Sequence, residues 1–99
     1  MTVSRETLAA VGELLAGGPD WRRPLAALLG PLHPEGARDT IDPRLPARWG
    51  KGDRGIPDWV GPALVILLDR HLHTLAAQAD AIAVDTERAH ALASLLRGK

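Results

Sequence analysis

Four histidines, two serines and a mid-chain cluster of arginines are the residues here whose types could do chemistry. His71 and His73 are two apart, which on a helix turns them roughly 200° from one another, so they cannot grip one ion together. Asp69 and His73 do share a helix face at i, i+4, but two ligands do not make a metal site. His33 precedes Pro34 and reads as a turn residue. Ser4 and Ser94 sit on no sharp turn, and no glycine-rich phosphate loop follows a strand. With no cysteine, disulfides, thiolate metal sites and thiol catalysis are excluded. The residues therefore argue against an enzyme and imply no cofactor and no metal.

The basic cluster is more informative. The chain carries 12 basic and 12 acidic residues, for a formal net charge of zero. Yet Arg22 to Arg54 holds seven basic residues against four acidic ones. Arg44, Arg48 and Lys51 recur at four and three residues, which puts them on one face of a short helix, and Arg54 follows. A forked guanidinium suits phosphate oxygens and guanine edges. Arg38, Arg44, Arg48, Lys51 and Arg54 are thus the candidate DNA-binding residues, and a solvated basic loop is the bland alternative.

The elements that must position these residues read as all-α. Alanine and leucine dominate, Trp21, Trp49 and Trp59 are the only aromatics, and no segment alternates with period two. Ninety-nine residues suffice for a single helical domain over 1–99. A first helix is capped by Thr2 or Ser4, carries Leu8, Val11, Leu14 and Leu15 on one face, and stops at Gly17-Gly18-Pro19. Asp20 is the expected cap of a second, whose stripe is Trp21, Leu25, Leu28 and Leu29 and whose end is Gly30-Pro31.

Pro31 to Pro57 is irregular, with a long Pro/Gly-rich loop over about 31–43 and a short helix from Asp42 or Leu45 to Trp49. Pro43 and Pro46 cannot both occupy its first position, so one is expected to cost a hydrogen bond or split the helix. Beyond Pro57 comes a long or broken C-terminal helix. Its stripe from Trp59 through Leu64, Leu67, Leu68, Leu72 and Leu75 to Ala79 is expected to face the first two helices. Asp85-Thr86 could cap a separate last helix over about 80–97, and a single helix with a weak point there fits almost as well. The sum is a small bundle of four to five helices whose three tryptophans are core pieces.

The strings WRRPLAALLG (Trp21 to Gly30) and RLPARWGKGDRGIPDWVGPALVILLDRH (Arg44 to His71) resemble small helix-turn-helix proteins of the lambda-repressor-like class, of bacterial and phage origin. In that resemblance Leu29-Gly30 ends the scaffold helix, Ala47-Arg48-Trp49 ends the recognition helix, and Gly52 to Pro57 is the following turn. It covers Trp21 to Leu75, and its motifs are loose patterns. One departure stands out. Gly30 and Trp49 are nineteen positions apart, and the class keeps that turn short, so Pro31 to Ile41 holds extra chain.

The resemblance implies a DNA-binding transcriptional regulator acting on double-stranded DNA, with a helix-turn-helix-like core over about 21–75. A helical protein-interaction module that does not bind DNA, of phage or antitoxin type, is the alternative. The leucines of the last helix need cover, which predicts a homodimer through Leu92, Leu95 and Leu96. The longest apolar run, Ala63 to Leu68, is far too short to span a membrane, and the chain opens on no leader-like segment. A soluble, cytoplasmic protein is expected, and the absence of cysteine fits a reducing compartment.

Overall fold

A computed structural model describes residues 3–98. It is all-helical among them, with α1 (Arg5–Ala16), α2 (Arg22–Leu29), a one-turn 3-10 segment (Gly30–Leu32), α3 (Arg44–Lys51) and α4 (Val60–Leu96). Ser4 starts α1: its Oγ accepts the Thr7 N–H at 3.1 Å. The alternative cap, Thr2, lies outside the described residues. Gly17 ends the helix in the left-handed region, and Gly17 and Gly18 both donate to the Glu13 carbonyl.

At α2 the expectation is corrected. Asp20 makes no cap; Trp21 is the cap residue, with no side-chain hydrogen bond of its own. The indole is instead buried to 2% exposure, so packing sets this helix start in place of a polar cap. The prolines also resolve differently. Pro24, Pro46 and Pro62 each fall at the third residue of their helices, where the N–H has no intrahelical acceptor, and Pro43 is the cap of α3. Pro43 and Pro46 therefore share one unbroken helix at no cost in hydrogen bonds.

The chain falls into two compact units, one ending at Asp69 and the other beginning at Arg70. In the first, Leu8 and Val11 of α1, Trp21, Leu25, Ala26 and Leu29 around α2, and Trp49 of α3 meet Val60, Ala63, Leu64 and Leu67 of α4. Leu14 and Leu28, expected on the inner stripes, are exposed, while Gly12 is buried. Trp59 is only half-buried and lies against the His33 ring, with centroids 5.1 Å apart.

The chain between the 3-10 turn and α3 is anchored along its length. Arg38 N–H donates to the Gly30 carbonyl at 3.0 Å, and Ile41 N–H to the Ala26 carbonyl at 3.1 Å. These bonds satisfy carbonyls at the end of α2 and bury the Ile41 side chain in the core. Gly30 permits the return, because a Cβ there would lie 2.6 Å from the Arg38 carbonyl oxygen and the Thr40 Cα.

The second unit is the remainder of α4. The helix runs unbroken past Asp85, and the Thr86 hydroxyl donates back to the Ile82 carbonyl at 2.8 Å, so it caps nothing. Burial stops at Leu67, and Leu68 is half-buried. Leu72, Leu75 and Ala79 are exposed, which corrects the expectation that the stripe faces the first helices as far as Ala79.

Candidate nucleic-acid interface

α3 owes its position to two tryptophans. Trp49 and Pro46 point inward and are buried, while Arg44, Arg48 and Lys51 lie on the opposite face and are exposed. Beneath α3, the edge of the Trp21 ring comes 3.5 Å from where a Gly50 Cβ would stand, ordinary van der Waals contact. Gly52 closes the helix at φ +79°, receiving the turn in which Asp53 N–H donates to the Arg48 carbonyl at 3.0 Å. From α1, the Arg5 guanidinium reaches the Lys51 carbonyl at 3.4 Å.

The five sequence-derived cations are not equivalent. Arg44 is engaged: its Nη2 donates to Asp42 Oδ2 at 2.9 Å and its Nε to Oδ1 at 3.1 Å, a two-pronged ion pair. Asp42 Oδ1 also accepts the Arg44 backbone N–H at 2.9 Å, which satisfies a free donor in the first turn of α3. The hydrogen bonds from Arg44 hold the Asp42 carboxyl down at about 2, well below the usual range, and the same pairing raises Arg44. Arg38 reaches Glu35 at 3.7 Å, both largely in solvent, which is a weak pair. Arg48, Lys51 and Arg54 have no ion-pair partner among the described residues.

Three unpaired cations therefore occupy the C-terminal half of α3 and the turn after it. The negative end of the helix dipole favours Arg48 and Lys51 there. That suffices to explain their stability, but not the third cation in the turn. Beside them lies a cleft of about 220 Å³ floored by Ile41, Leu45 and Trp49, with Arg38 and Arg54 among its walls. Its lining is largely apolar, so the exposed cations, and not this cleft, form the anion-attracting surface.

His71 and His73 lie on α4. His33 does serve in a turn, its Nδ1 accepting the Glu35 N–H at 3.1 Å. Among the described residues no group of three or more side chains could hold a metal ion. Leu92, Leu95 and Leu96, the candidate dimer residues, are exposed on α4, Leu96 at 88%. Sequence reasoning missed the roles of Asp42 and Arg5. The spacing Asp-Pro-Arg was the available signal for the first, since an Asx residue just before a proline-started helix is placed to accept its first N–H groups. Nothing in the local pattern signals the second, which joins residues 46 apart.

No described helix is long and apolar enough to cross a membrane. Neither a protein-family model, nor a curated protein, nor a solved structure matches the chain.

Proposed function

We propose that this protein is a small DNA-binding regulator with a divergent helix-turn-helix of the lambda-repressor-like kind, cytoplasmic, and acting as a homodimer through α4. The observation that carries the reading is the set of three unpaired, exposed cations, Arg48, Lys51 and Arg54, on α3 and its following turn. Arg48, Lys51 and Arg54 meet the phosphates that line a groove, with Arg48 placed to reach the base edges as well. Arg44, tied to Asp42, holds the start of α3 and contacts DNA only when that pair opens. The extra chain between α2 and α3 is compatible with this role because it folds back on α2 and leaves the outer face of α3 in solvent.

Binding to random duplex DNA, followed as salt rises from about 50 to about 200 mM, is the test. Three phosphate contacts per protomer give a log–log slope of about −3 for each protomer, and affinity that stays flat across that range refutes the reading. The second reading is a helical interaction module. It is favoured by one observation, the exposed leucines of α4. A native chain that ignores DNA at all salt concentrations yet binds a partner through α4 selects it.

A further inference from the structure

We infer that α4 pairs with α4 of a second copy as an antiparallel two-stranded coil whose layers alternate a large and a small side chain. The inference deepens the homodimer part of the proposed function and rests on it, but not on DNA binding. Between Leu72 and Leu96 the helix carries two rows of positions at seven-residue spacing with no charged side chain on either. One set of seam positions is Leu72, Ala79, Thr86 and Ala93; the other, three residues after each, is Leu75, Ile82, Ala89 and Leu96. No ionisable residue of this stretch falls on the seam. Thr86 is its sole polar member, and its hydroxyl is already bonded to the Ile82 carbonyl, so burial leaves no unmet donor.

The distribution of sizes sets the direction. In a parallel pair each seam residue meets its own copy, so Leu72 and Leu75 crowd one end while Ala89 and Ala93 face each other near the other. Those layers demand different axis separations along one interface. Reversing one helix removes the conflict. Leu72 then meets Ala89, Leu75 meets Thr86 and Ala79 meets Ile82, each layer repeated by the twofold axis. On one flank Ala76 stands opposite Ala83, so nothing bulky holds the helices apart, and on the other Gln78 stands opposite Asp85, an amide beside a carboxylate.

The area is sufficient. At 1.5 Å per residue, Leu72 to Ala89 spans about 27 Å. Covering about half the helix perimeter over that length removes on the order of 500 Å² from each copy, about 1,000 Å² in all, the size at which an interface becomes specific. Within this seam Leu72 and Ile82 are now 62% and 65% exposed. Leu92 flanks the seam, Leu95 falls outside it, and Leu96, though on a seam row, lies beyond the Leu72–Ala89 stretch that this register pairs, so none of the three leucines expected at the interface is in a paired layer.

The chain contains no cysteine, so introduced thiols report pairing without background. Leu75→Cys and Thr86→Cys are made singly and together, oxidised, and resolved without reductant. Both sites are exposed and outside the buried core, so the substitutions leave the first unit folded. Eleven residues separate them, about 16 Å along a helix, too far for a bond within one chain. The double variant is expected to become a covalent dimer and each single variant to remain uncrosslinked. A covalent dimer from Leu75→Cys alone reveals a parallel pair and overturns the proposal. A native chain that is dimeric by light scattering, with no crosslink in the double variant, overturns this register. A native chain that is monomeric overturns α4 pairing altogether, whatever its affinity for DNA.

Discussion

Gly12 of α1 lies directly against the indole of Trp21: a Cβ at that glycine would stand 2.7 Å from Trp21 Cδ2 and closer still to Cε3. The ring cannot yield, because it is buried and its far edge supports Gly50 of α3. One indole thus sets the separation of α1 from α2 and the seat of the helix that bears the cations.

Gly12→Ala decides between two opposing effects. Glycine to alanine inside a helix gains about 1 kcal/mol from helix propensity. Overpacking a closed core costs about 1–3 kcal/mol, and the approach to Trp21 is closer than real Cβ contacts allow. Net destabilisation is expected, visible as a lower melting temperature. Gly18→Ala is the control: its Cβ meets nothing within 4 Å and its backbone is unstrained, so the melting temperature should hold or rise. Equal melting temperatures for the two variants would refute the wedge.

Trp49→Ala removes the largest fully buried side chain and should cost about 3–5 kcal/mol, enough to unfold or nearly unfold a domain of this size. Trp59, half-buried against His33, should cost visibly less when truncated. Chemical denaturation of both variants measures the difference. Wild-type stability in Trp49→Ala together with lost DNA binding would instead place that indole at the interface.

These side chains mark where sequence periodicity carries information and where it stops. Leu8, Val11, Leu25 and Leu29 recur at helical spacing and are buried, and Ser4 caps as its type and place require. Ile41 is equally buried, but it sits alone in irregular chain, held by one backbone bond to Ala26, and no period points to it. The stripe of α4 continues past Leu68 without change of pattern although burial ends there, because the amphipathic spacing that faces a core within the chain is the spacing that faces a second helix. At the site, spacing alone placed Arg44, Arg48 and Lys51 on one face. Which of them is free depends on the Asp42–Arg44 contact, made by residues two apart across a helix start, where face arguments do not apply.

That contact makes a pH prediction. The folded pKa of Asp42, about 2, lies below its ordinary value of 3.8, so the folded state releases this proton more readily than the unfolded chain. Stability from the pair is therefore fully present above pH ~3.8 and is lost as pH falls through ~2. The carboxyl resonance of Asp42 should titrate below the ordinary aspartate value of 3.8, and Arg44→Ala should return it toward that value. A titration unmoved by Arg44→Ala would show that the carboxylate is held by something else.

The same pair predicts different effects of three substitutions on DNA binding. Arg48→Ala removes an unpaired cation and should flatten the salt slope by about 1 per protomer. The loss reaches about 1–3 kcal/mol if the guanidinium forks onto a guanine, and is then larger on one sequence than on others. Arg44→Ala should change little by comparison, because its fork is occupied by Asp42. Asp42→Asn should tighten binding: it removes a negative charge, releases Arg44, and keeps an Oδ1 acceptor for the Arg44 backbone N–H, so α3 still starts in the same place. Fluorescence anisotropy on one duplex at several salt concentrations separates the three variants. Equal losses for Arg44→Ala and Arg48→Ala would mean the Asp42 clasp opens on DNA at little cost, and weaker binding by Asp42→Asn would mean the clasp itself is what presents α3.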